Sequence, residues 1–149
     1  MNGPVRIKIF SVLAVIFAAA LWPQIESTAA IDLTKLPPAA ARKIDFAKDI
    51  QPIFLEHCYQ CHGPKKQEAS LRWDEKSAAL KGGESGMAII PGKSTESLMI
   101  QAVAHIHDDL KMPKKGEPLS AEKVGLLRAW IDQGADWPDN LSAAKLDAS

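Results

Sequence analysis

The sequence predicts a mostly α-helical domain, and three observations carry that prediction. Two stretches, residues 95–104 and 121–133, set apolar side chains at helical spacing. The first has Leu98, Met99, Ala102 and Val103; the second has Val124, Leu127, Trp130 and Ile131. No run alternates apolar and polar residues for long enough to build a sheet. Between the helical stretches, Gly82, Gly83, Gly86, Pro91 and Gly92 break the chain into loops.

At 149 residues the chain has the length of one ordinary domain. Its hydrophobic fraction of 46% is that of a globular protein, so a packed core is expected. Zero formal net charge argues against a broad nucleic-acid-binding surface. Residues 1–30 read as a signal peptide. Arg6 and Lys8 form a positive start, residues 9–22 are nearly all apolar, and Thr28, Ala29 and Ala30 are small residues of the cleavage kind. Pro23 and Gln24 end the apolar run early, so it is short for a membrane span. The expectation is an exported chain, periplasmic or otherwise outside the cytoplasm. A membrane is a partner only if this segment stays uncleaved.

Residues 31–43, with Pro37-Pro38 at their centre, are expected to be a linker or a loosely docked arm. The domain proper is expected over residues 44–138. Asp45 or Asp49 can cap a first helix, Pro52 suits a first helical turn, and Ile50, Ile53 and Phe54 share a face. Gly63-Pro64 stops that helix. Residues 71–74 read as extended or turn, and residues 77–80 as one helical turn closed by Gly82-Gly83. Ser94 is expected to cap the helix over 95–104, and Ser120 the helix over 121–133, with Gly134 as its C′ glycine. Residues 139–149 are expected to form a flexible tail.

Chemistry concentrates at Cys58-Tyr59-Gln60-Cys61-His62. This is C-x-x-C-H, the attachment sequence for a c-type haem. Two thiols three positions apart on one helical turn can each add across a vinyl group of one porphyrin, and the histidine can bind iron. A thioredoxin-like pair would need a βαβ setting that is not visible. A zinc site needs four ligands, and no second cysteine pair exists. A disulfide over so short a loop would add little stability. Export agrees with the motif, because bacteria attach haem c outside the cytoplasmic membrane. One motif implies one covalent haem.

A low-spin electron-transfer haem needs a sixth ligand, and Met112 is the best candidate. It stands in a polar loop before Pro113, where a methionine has nothing local to pack against. A thioether there favours ferrous iron and raises the potential. Met87 reads as packing and Met99 as core. His105 and His107 could supply a bis-histidine site, although surface positions or bonds to a propionate suit them better. His57 points away from the proximal face if the motif is helical.

The stretches IDFAKDIQPIFLEHCYQCHG, SLRWD, GGESGMAIIPGKSTESLMIQAV, KMP and LSAEKVGLLRAWIDQGADWP together resemble the planctomycete-type cytochrome c domain, one of the small class I-like cytochromes c. The resemblance runs from about Ile44 to Pro138. It implies a small helical cytochrome c fold whose loops wrap one covalent haem. Cys58 and Cys61 would carry the thioethers, His62 would be the proximal ligand and Met112 the distal one. Family members often carry a second proline after Met-Pro; here Lys114 follows.

The function expected is single-electron transfer between transient protein partners, with no nucleic acid and no catalytic reaction. Lys65, Lys66, Lys111, Lys114 and Lys115 flank the ligand-bearing segments and could form a basic rim. The alternative is a haem-based sensor or ligand-binding module in which Met112 leaves the iron. A two-haem peroxidase is excluded by the single motif.

Overall fold

The computed structural model describes residues 31–139, so the expected signal peptide and all but the first residue of the expected tail lie outside the described residues. Among the described residues five α-helices follow in order: α1 (Gln51–His57), α2 (Tyr59–His62), α3 (Lys76–Lys81), α4 (Leu98–Val103) and α5 (Ala121–Asp132). A π-helical turn, Phe46–Ile50, runs into α1, and short 3-10 turns cover Leu33–Lys35, Glu68–Ser70 and Ser94–Glu96. No strand occurs among the described residues, in agreement with the mostly α fold expected from the sequence. Nor is any described helix long and apolar enough to cross a membrane.

Local chemistry accounts for several helix ends. Asp45 accepts from the Lys48 amide and starts the π-helical turn, and Pro52 sits in the first turn of α1. Ser120 accepts from the Lys123 amide to cap α5. After α5, Gly134 takes a φ of +101°, a left-handed conformation that glycine adopts without strain.

The helix expected over 95–104 is shorter than its periodicity suggests. The amide and hydroxyl of Ser94 both donate to the Asp132 carboxylate, at 2.8 and 2.9 Å. Ser94 therefore ties the loop to the end of α5 instead of capping α4. The backbone turns extended at Ser97, and α4 starts only at Leu98. Met87 is also placed differently from the sequence reading. A tight turn joins Gly83 to Gly86, after which Ala88 faces the core and Met87 is half exposed.

The core is aromatic at its centre. Phe54 contacts Phe46, Trp73, Trp130 and Trp137, with ring centroids 5.5–6.0 Å apart. Phe46 stacks on Trp137 at 4.4 Å. Such pairs add roughly 0.5–1.5 kcal/mol each beyond area burial. They join the π-helical turn, α1, α5 and the segment after α5 into one wall.

Residues 37–42 lie along α5. The Ala40 amide donates to Gly125 O at 3.0 Å, and Arg128 Nη1 donates to Pro37 O. Gln133 bonds Arg42 O and the Ile44 amide through its side-chain amide, at 2.8 and 2.9 Å. Gly125 is where the arm comes closest: a β-carbon there would lie 2.8 Å from Pro38 O.

Candidate haem site

The aromatic core holds α1 so that its last turn ends at the first motif cysteine. The Cys58 amide donates to Phe54 O at 2.9 Å, and Cys58 O in turn accepts from the amides of Cys61 and His62, at 3.2 and 2.8 Å. Cys58, with a φ of −116°, is the joint between α1 and α2. The two thiols and the imidazole are thus presented from one short turn. All three border a cavity of about 670 Å³, within the roughly 300–1,000 Å³ range of cofactor sites.

The walls are largely apolar. Phe54, Trp73, Met99, Val103 and Leu127 line the cavity from four parts of the chain. Met112 lines it as well, on the loop between α4 and α5. Tertiary structure therefore brings together the four residues that the sequence singled out.

His62 is buried, and its Nδ1 lies 3.0 Å from Glu68 O. A carbonyl only accepts, so Nδ1 carries the proton and Nε2 keeps its lone pair for a metal. The Trp73 amide donates to His62 O at 2.7 Å, which fixes the end of α2 against the cavity wall. Asp74, next in the chain, is 1% exposed and receives Arg72 Nε at 3.0 Å and Nη2 at 2.5 Å.

Burial pushes the Cys58 thiol up to about 12. A redox-active thiol pair needs its attacking sulfur as thiolate near neutral pH, a role that Cys58 does not suit. Burial, with smaller contributions from the charges of Asp74 and Cys58, also raises the Tyr59 phenol to about 12. Its hydroxyl is buried without a hydrogen-bond partner.

Of the competing candidates, His105, His107 and Met87 do not line the cavity, whereas Met99 and His57 do. His105 does not line the cavity; its Nε2 lies 3.1 Å from Met112 O. His107 accepts the Asp109 amide through Nδ1, 3.2 Å away, and is not a lining residue. Met87 faces outward. Met99 is core and borders the cavity. His57 also borders it, where Lys123 Nζ lies 2.6 Å from its Nε2.

Of the five loop lysines, Lys66, Lys114 and Lys115 line the cavity, whereas Lys65 and Lys111 do not. Glu68 interrupts the basic rim, lying 2.5 Å from Lys66 and 3.7 Å from Lys114. The Lys66 ammonium holds its carboxyl below the usual carboxylate range. Sequence reasoning missed three contacts here: those of the Glu68 carbonyl, of the Trp73 amide, and of His105, a residue it weighed as an iron ligand or a propionate partner, with Met112 O. The first two act through backbone atoms, which leave no signature in residue type.

Two thiols, an imidazole with Nε2 available and a thioether around one apolar cavity fit a c-type haem. Among the described residues, no three His, Cys, Asp or Glu side chains gather as a metal-binding cluster. No curated protein and no solved structure matches the chain. Residues 58–116 match the family model described as Planctomycete cytochrome C. The match begins at Cys58 and reaches past Met112-Pro113, so it contains all four residues expected at the haem, but it leaves out α1 and α5, which build much of the apolar wall. With its C-x-x-C-H turn opening onto that cavity, the segment over residues 58–116 is similar to the planctomycete-type cytochrome c domain, and its side chains fit a haem.

Proposed function

We propose that this chain is an exported, monohaem c-type cytochrome that carries single electrons between transient protein partners. Cys58 and Cys61 would hold the haem by thioethers, His62 would bind iron through Nε2, and Met112 would be the sixth ligand. The observation that carries the reading is the shared cavity: His62, its Nδ1 already committed to Glu68 O, and Met112 both border it, while His105 and His107 do not. The haem supplies the one-electron iron couple. The chain's residues orient it and exclude water: Phe54, Trp73 and Leu127 keep the surroundings apolar, which favours the less charged ferrous state. Lys114 and Lys115 are exposed at the rim, where a small acidic partner surface could meet them.

The test is the optical spectrum of the exported holoprotein beside Met112→Ala. The ferric wild type should show the weak long-wavelength band of methionine–iron ligation, and the variant should lack it. Identical spectra would remove Met112 from the iron and with it the carrier reading.

A further inference from the structure

We propose that His105 is a positioning residue that clamps the Met112 loop; the proposal rests on Met112 being the sixth ligand. The argument starts at the end of α4. The His105 amide donates to Ala102 O at 3.2 Å and the Ile106 amide to Gln101 O at 3.1 Å. This is the paired helix stop in which the C′ residue turns left-handed and glycine is the easy choice. The end of α5 is built the same way, with Gly134 to Ile131 O and Ala135 to Trp130 O, both 2.9 Å. There the C′ residue is glycine. At α4 it is His105, with a φ of +53°. A side chain kept at a backbone position that resists one points to a use for that side chain.

The use is visible. His105 Nε2 lies 3.1 Å from Met112 O, and since the carbonyl can only accept, Nε2 is the donor. The Met112 amide donates to Ala102 O at 3.0 Å. Both backbone polar groups of Met112 are therefore held by the end of α4, one by its main chain and one by the imidazole. The thioether is presented by a residue whose backbone is already fixed, so ligation need not order the loop.

The test compares wild type, His105→Gly, His105→Gln and Met112→Ala as holoproteins. Two quantities are read: hydrogen exchange at the Met112 amide, and binding of imidazole to the ferric iron. Glycine relieves the left-handed strain, so His105→Gly should keep the wild-type urea midpoint. Its Met112 amide exchange and its imidazole affinity should each rise roughly tenfold, about one hydrogen bond's worth. Glutamine, which can also donate through Nε2, should restore both. If His105→Gly matches wild type in both while Met112→Ala raises imidazole affinity, Met112 ligation stands and the clamp is overturned. A lowered midpoint large enough to explain the rises would likewise overturn it, by showing a general structural role. If Met112→Ala leaves imidazole affinity unchanged, Met112 is not the ligand and the proposal falls with that reading.

Discussion

Removing the Arg72 guanidinium should damage the proximal wall more than any surface ion pair could. Asp74 is 1% exposed, and Arg72 supplies its two hydrogen bonds at 3.0 and 2.5 Å. Arg72→Met keeps the side chain's length but strands the buried carboxylate. Breaking one side of a buried pair costs about 3–5 kcal/mol, against about 0.2–1 kcal/mol for an exposed one. Because the Arg72 side chain is 29% exposed, the low end applies, about 3 kcal/mol. That is a large part of the ~5–15 kcal/mol stability of an ordinary domain. The loss should be felt at the motif, since Trp73 lies between the two charges and holds His62 O. Equilibrium urea unfolding of the holoprotein, followed by tryptophan fluorescence, measures it. Arg72→Met with Asp74→Asn should recover most of the loss, because no stranded charge remains. A cost below about 1 kcal/mol for Arg72→Met alone would mean that water reaches the carboxylate, and the buried-pair reasoning would be wrong.

Two further outcomes follow from the arm and its entry to α1. Gly125→Ala should raise helix propensity by roughly 1 kcal/mol, yet its β-carbon would meet Pro38 O at 2.8 Å. Displacing the arm loses the bonds to Gly125 O and Pro37 O, so a net loss of about 1 kcal/mol in urea unfolding is expected. A gain in stability would show that the arm contact is dispensable. The Arg42 guanidinium, with the Asp45 amide, holds the Asp49 carboxyl down at about 2. The folded value lies below the unfolded one, so this stabilisation is complete above about pH 4 and is lost as pH falls toward 2. The shift corresponds to about 2 kcal/mol, reduced to about 1 kcal/mol because Arg42 is half in water. Stability curves of wild type and Asp49→Asn should converge as pH falls through that window; parallel curves would contradict the assignment.

What the sequence determined by itself was local. The C-x-x-C-H spacing, Pro52 in the first turn of α1, the Ser120 cap and the Gly134 stop all depend on residues within a turn of one another, and the structure has them where the pattern puts them. That Met112 borders the cavity agrees with the sequence reading that a methionine in a polar loop lacks a local partner. What only the tertiary structure decided depends on atoms far apart in the chain. Ser94 looked like a cap, but Asp132, 38 residues away, takes its amide and hydroxyl. Residues 31–43 read as a linker or a loosely docked arm, and only the fold shows where the arm docks: Gly125 leaves room for the Pro38 carbonyl to pack on α5. His105 looked like a possible iron ligand, but the turn that ends α4 aims it at the Met112 carbonyl instead. The physical reason is the same in each case. Helix caps and metal motifs are written in side-chain types at short spacing, whereas a backbone carbonyl is identical at every residue, and only folding determines which donor reaches it.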